Sequence, residues 1–304
     1  MRDNRNYSNK DTINYRALLL LLRPRQWIKN LLLFAGLIFS YSFTDAYLVY
    51  SSILAFISFC LLSSSAYIIN DMLDVAEDRL HPLKKKRPIA SGVVTPKLAA
   101  STSIALLVIS LLMAWQINLL FFLSSLFYYL LTVSYSIWLK HLVIIDVFAI
   151  AFGFLIRALA GALAIEVSIS PWFLICTLLL SLFLALTKRR QESISLAENG
   201  TNHRKVLEHY PLPFIEQLIS IVTASTIIAY SLYTFTDNHE SQLFMITIPF
   251  VVYGIFRYLY LVYKQDLGES PEEVLLKDKP MIINILLWVL ISIAILTFEH
   301  GALR

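Results

Sequence analysis

"YIINDMLDVAEDRLHPLKKKRPIASG", residues 67–92, begins as the end of an apolar run and turns abruptly polar. It carries the acids Asp71, Asp74, Glu77 and Asp78, then the bases Arg79, Lys84, Lys85, Lys86 and Arg87. On a helix, Asp71 and Asp78 lie about 20° apart and Asp74 about 40–60° from each, so three carboxylates share a face and Glu77 turns away. Like charges crowded at a membrane boundary raise the cost of ionising each other, and a divalent cation removes that cost. Mg2+ prefers oxygen ligands, keeps waters and is shared between carboxylates and substrate phosphates. Asp71, Asp74 and Asp78 are the expected metal ligands and catalytic residues. The plainer alternative is a solvated helix end whose acids pair with the lysines behind them.

The chain around this stretch is 304 residues long, 58% hydrophobic and 15% charged; a soluble domain is about half apolar and about a quarter charged. Nine apolar stretches approach the roughly 20 residues of a membrane span: 27–44, 47–69, 95–115, 118–138, 142–165, 171–187, 212–236, 243–263 and 281–298. The expectation is an all-α bundle of nine transmembrane helices, one integral membrane domain behind a flexible tail over residues 1–20. Lys and Arg recur in alternate connections and are missing from "TDA", "QIN", "EVSISP" and "TDNHESQ". Basic loops face the cytoplasm, which puts the N-terminus inside and the C-terminus outside. Cys60 and Cys176 each lie in an apolar run and read as packing residues.

Other polar residues sharpen the picture. Arg79, Lys84 and Arg87 are candidates to hold phosphate oxygens, while Lys85 and Lys86 read as topological anchors. In "RPRQWIKN" (23–30), Lys29 is either an interfacial anchor or a phosphate contact. Asp146 and Arg157 lie inside one apolar run, about 20° apart around a helix and about 16 Å along it. That is too far for an ion pair, so each needs another partner: substrate, metal or a neighbouring helix. In "KRRQE" (188–192), Lys188 and Glu192 are one turn apart and read either as a surface pair or as groups facing the acidic cluster.

These segments together resemble the UbiA superfamily of intramembrane prenyltransferases. "RPRQWIKN", residues 67–92, "YSIWLKHLVIIDV" with "LIRALAG", "KRRQE" and "SPEEVLLKDKP" are similar to its decaprenyl-phosphate phosphoribosyltransferase branch. The resemblance implies a helical bundle with a central cavity open to the cytoplasmic side, in a bacterial inner membrane. It also implies Mg2+ as cofactor, with phosphoribosyl diphosphate and a polyprenyl phosphate as substrates. Asn70 would orient the metal shell, and Lys29, Lys84, Arg87, Lys140, Lys188 and Arg189 would hold phosphates. Tyr135 and Asp146 would contact the ribose, and Arg79, Arg157 and Glu192 complete the expected substrate site. No nucleic-acid partner is expected, and the oligomeric state stays open.

One departure from the superfamily pattern is informative. Its aromatic prenyltransferases carry a second aspartate-rich motif after span six, where this chain reads "KRRQE". That leaves one acidic site and a cationic wall, suited to a donor charged at both ends. The alternatives are an aromatic prenyltransferase using a prenyl diphosphate, a cation-coupled transporter and an inactive structural relative. Transporters break helices near the midplane, whereas these acids lie at a boundary.

Overall fold

Polar caps cut the apolar runs into helices. Asp45 accepts hydrogen bonds from the Tyr47 and Leu48 amides and starts α3 (Ala46–Leu73). Thr95 caps α5 (Pro96–Ile117), which has Pro96 at its first position, where a missing N–H costs nothing. Asn118 ends α5, caps α6 (Leu119–Ile137) through the Phe121 amide, and donates to the Leu163 carbonyl at the end of α7 (Ile145–Ala164). The computed structural model describes residues 15–81, 83–199, 210–236, 242–264, 274 and 277–302, and every element among them is helical. The remaining helices are α1 (Tyr15–Leu21), α2 (Ala35–Phe39), α4 (Val75–Leu80), α8 (Pro171–Asn199), α9 (Leu212–Thr236), α10 (Ile248–Lys264) and α11 (Lys279–Ala302). Asp278 caps α11 through the Met281 amide and pairs with Arg257, whose hydrogen bond holds this carboxyl below its usual range.

α3 and α7 form the interior: 61% of the most apolar stretch of each is buried, against 22% for α5, α9 and α11. The outer helices turn Leu112, Trp115, Phe127, Leu286 and Leu290 outward, each more than half exposed. This apolar girth is what hydrocarbon covers. Small polar residues bind the interior helices closely. Ser58 on α3 donates to the Ser110 carbonyl on α5, and Ser65 and Ser103 exchange bonds to each other's carbonyls at 2.9 and 3.0 Å. Two apolar cores meet at α7. One holds Phe59, Phe121 and Ile156; the other holds Ala151, Phe183, Ile215 and Tyr258.

Eight helices among the described residues are long and apolar enough to cross a membrane, counting the Gln242–Thr247 turn with α10. The expected first span, 27–44, is built differently. Residues Pro24–Phe34 form a 3-10 helix that continues into α2. Packing against α7 explains how closely this segment lies. A Cβ on Gly161 would fall 2.0 Å from the Leu33 carbonyl oxygen, and one on Gly36 2.9 Å from the Ala162 Cα. The sixth span also differs, because α8 runs past its expected end at 187 and carries "KRRQE" as helix, not loop. At the N-terminus, helical order reaches back to Tyr15, where Ala17 and Leu21 pack with Ile68, Ile89 and Val94. Residues 1–14, Arg204, Lys205, the connection 237–241 and most of "SPEEVLLKDKP" lie outside the described residues.

Candidate active site at the charged end of the bundle

α3 and α6 end, and α5 and α7 begin, at one end of the bundle, and α8 brings its polar turns there. Buried charge gathers in two neighbouring clusters. The first is built around a break: α3 stops at Leu73, Asp74 takes a non-helical conformation (φ −90°, ψ 8°), and α4 restarts. The break divides the three carboxylates expected on one face. Asp71 and Asp78 converge on Arg87, whose Nη1 donates to Asp71 Oδ1 at 3.0 Å and to Asp78 Oδ2 at 2.5 Å. Arg23 also donates to Asp71 Oδ1. Asp74 instead accepts from Lys140 Nζ at 2.5 Å and from Asn70 Nδ2 at 2.9 Å. All three aspartates and Lys140 are buried, whereas Glu77 is exposed.

Arg87 reaches the acids because its loop is pulled back on the bundle by buried Ile89, Ala90 and Val94. Lys84 is half-buried beside it, and Lys85 and Lys86 are exposed. Arg79 points elsewhere, donating to the Ala90 carbonyl at 3.2 Å. Among the described residues, no three His, Cys, Asp or Glu side chains form a ready metal cage. Asp71 and Asp78 still suit a divalent cation. Their oxygens already grip one cationic group from two sides, and Mg2+ commonly uses one or two carboxylates with water and phosphate completing its shell.

The second cluster centres on Arg189 of α8, which is 1% exposed. Its Nε donates to Asp146 Oδ2 at 2.7 Å, its Nη2 to the Tyr135 hydroxyl at 3.0 Å, and its Nη1 to Glu192. Glu192 thus meets Arg189 at three residues' spacing. Tyr210 donates to the other Asp146 oxygen at 2.7 Å. Burial, and then that bond to the carboxylate, raise the Tyr210 phenol above its ordinary value. Lys29 and Lys188 are half-buried.

Arg157 lies apart from both clusters. It donates to Asn30 Oδ1 at 2.9 Å, to the Gly153 carbonyl at 2.9 Å and to the Tyr128 hydroxyl at 2.6 Å. This is the interhelical role that the sequence left open beside a substrate contact. Reading the sequence missed four participants. In the sequence Arg23 is one basic residue among those of "RPRQWIKN", and Asn30 closes that stretch, although an amide entering an apolar run is a signal. Arg190 pairs with Glu216 at 3.2 Å and lies 3.8 Å from the centre of the Tyr263 ring. Tyr210 carries no local signal.

A lipid-facing helical bundle with buried acids and bases at one end is an integral membrane protein with a polar site at its boundary. The UbiA prenyltransferase family model matches residues 30–284, and the chain belongs to that family of membrane transferases. The decaprenyl-phosphate phosphoribosyltransferase of Mycolicibacterium smegmatis is 36% identical over 286 residues, 88% of each chain. Its Corynebacterium glutamicum counterpart is 33% identical over 281 residues, 88% of this chain and 83% of that one. Among solved structures, a UbiA homolog from Archaeoglobus fulgidus bound to GPP and Mg2+ superposes with a TM-score of 0.73 at 21% identity, covering 92% of this chain and 99% of that chain. That likeness is one of fold.

Proposed function

We propose that this transferase moves a 5-phosphoribosyl group from phosphoribosyl diphosphate to a polyprenyl phosphate and releases pyrophosphate. The observation that carries the reading is the pairing of an acidic cluster at Asp71 and Asp78 with a separate cluster centred on a buried arginine, Arg189. A donor with a diphosphate at one end and a phosphate at the other matches both. The named relatives, similar over most of the chain, support the same substrates. Asp71 and Asp78 would hold Mg2+, which supplies charge neutralisation for the departing pyrophosphate; Asn70 steadies Asp74 beside them.

In this reading Arg23 and Arg87 exchange carboxylate contacts for pyrophosphate oxygens when the donor enters, with Lys84 joining them, and the cavity opens toward the cytoplasm. Lys188 and Arg189 take the 5-phosphate, and Tyr135 faces the ribose. Lys29 and Lys140 meet the acceptor phosphate, whose oxygen attacks the anomeric carbon. A phosphate monoester loses its second proton near pH 6, so the acceptor needs no general base. Arg79 and Arg157 are spent on a carbonyl and on interhelical packing, and are left out of the site. Purified protein given phosphoribosyl diphosphate, polyprenyl phosphate and Mg2+ is expected to release pyrophosphate only when all three are present. Release that ignores the lipid or survives chelation overturns the reading.

The segment 24–39 serves as a ninth crossing. Eleven residues at about 2.0 Å and five at about 1.5 Å reach about 30 Å, the thickness of the hydrocarbon core. Nine crossings in a bacterial inner membrane leave the N-terminus and the charged end cytoplasmic and the C-terminus external. Ser91 and Ser168 are exposed at opposite ends. With Cys60 and Cys176 replaced, an impermeant thiol reagent applied to whole cells should label Ser168→Cys and spare Ser91→Cys. The reverse pattern would invert the topology.

A further inference from the structure

Tyr210 joins α9 to the start of α7 through one oxygen. The Ile144 amide donates to that hydroxyl at 2.5 Å, and the hydroxyl donates to Asp146 Oδ1 at 2.7 Å. Asp146 turns its other oxygen to Arg189. Tyr210, Asp146 and Arg189 are 2%, 0% and 1% exposed, so water is kept from the Tyr210–Asp146 and Asp146–Arg189 bonds. The turn they hold is strained. Ile144 has φ 69° and ψ −44°, close to the rare γ-turn and unfavourable for a β-branched residue. Such a conformation persists only where its surroundings over-determine it, and strain of this kind gathers at functional sites.

We propose that Tyr210 is a positioning residue for the donor: its hydroxyl pins the Ile144 turn and holds Asp146 so that the Arg189 guanidinium is aimed at the donor's 5-phosphate. The proposal rests on the phosphoribosyl-transfer reading for the identity of that ligand and on geometry alone for the link itself. The ordering matters because Tyr210, at the start of α9, holds one Asp146 oxygen while the other holds the Arg189 guanidinium. Without the hydroxyl, the Ile144 amide and one Asp146 oxygen lose their partner together. The turn is then free to relax toward negative φ and carry Asp146, and with it Arg189, away from the donor. The acceptor phosphate is met by other residues and does not feel this change.

The full chain carrying Tyr210→Phe is tested in two ways. Hydrogen exchange, measured without substrate, reports the link: amides in the peptide 139–148 should exchange at least about tenfold faster than in the parent protein, as expected when a buried bond is lost. Steady-state kinetics reports its use: KM for phosphoribosyl diphosphate should rise about tenfold, with KM for polyprenyl phosphate within about twofold and kcat within about threefold. Ile144→Gly added to Tyr210→Phe should recover part of the donor affinity, because glycine adopts positive φ without strain. Unchanged exchange overturns the link, as does an equal loss for both substrates in a folded variant. Unchanged donor KM with faster exchange overturns the positioning role. If the parent protein does not use phosphoribosyl diphosphate at all, the functional reading falls, and exchange alone then decides the link.

Discussion

Asp71→Asn and Asp78→Asn are each expected to lower kcat at least about 100-fold, about 2.7 kcal/mol of barrier, while Glu77→Gln stays within about threefold. The substitutions keep the shape of the side chain and one acceptor oxygen, so Arg87 keeps a partner and the fold survives. What they remove is negative charge where two buried carboxylates grip the Arg87 guanidinium. Glu77 has the same chemistry six residues from Asp71 but is exposed on the far side of α4. Asp74→Asn should fall between these, since Asp74 serves Lys140 and Asn70 and not the shared cation. Turnover and thermal melting measured on the same preparations separate loss of chemistry from loss of fold. A folded Glu77→Gln variant as inactive as Asp78→Asn would sink this assignment.

Arg189→Lys should raise KM for phosphoribosyl diphosphate at least about tenfold and leave that for polyprenyl phosphate within about twofold. Alanine is the wrong probe here. It would leave the buried Asp146 carboxylate without its arginine, which costs about 3–5 kcal/mol and threatens the fold. Lysine keeps the charge and loses the planar fork that meets Asp146, Tyr135 and Glu192 at once. Losing that fork should unsettle a phosphate held at the same guanidinium without touching residues at Asp71 or Lys29. Titrating each substrate separately against the folded variant reads the split directly; equal loss for both would mean that this cluster does not distinguish the sugar donor.

Much of the architecture was legible because it rests on local chemistry. Hydropathy marks the long helices, and the structure adds the caps at Asp45, Thr95 and Asn118 that start three of them. The 3-10 segment was not legible, because hydropathy does not distinguish it from an α-helical span. Its close seat against α7 depends on Gly161, 128 residues beyond Leu33 in the chain. The acidic stretch announced its carboxylates, yet ideal helical spacing could not show that the helix breaks at Asp74. Nor could it show that Arg87 and Lys140 return to draw the acids apart. Asp146 and Arg157 were both recognisable as intramembrane charges needing partners. Only the packed structure shows that Asp146 turns to Arg189 and Tyr210, while Arg157 turns inward to Asn30 and Tyr128.

The central claim is that the donor is a phosphorylated sugar diphosphate and the acceptor a lipid phosphate. The most direct measurement supplies purified protein and Mg2+ with polyprenyl phosphate, a soluble aromatic acid and two differently labelled donors together, phosphoribosyl diphosphate and a prenyl diphosphate. The lipid and aromatic products are then separated. Label from the sugar donor is expected on the lipid phosphate, in step with pyrophosphate released, with no prenyl label on the aromatic ring. Prenylated aromatic product with an unlabelled lipid phosphate would contradict it.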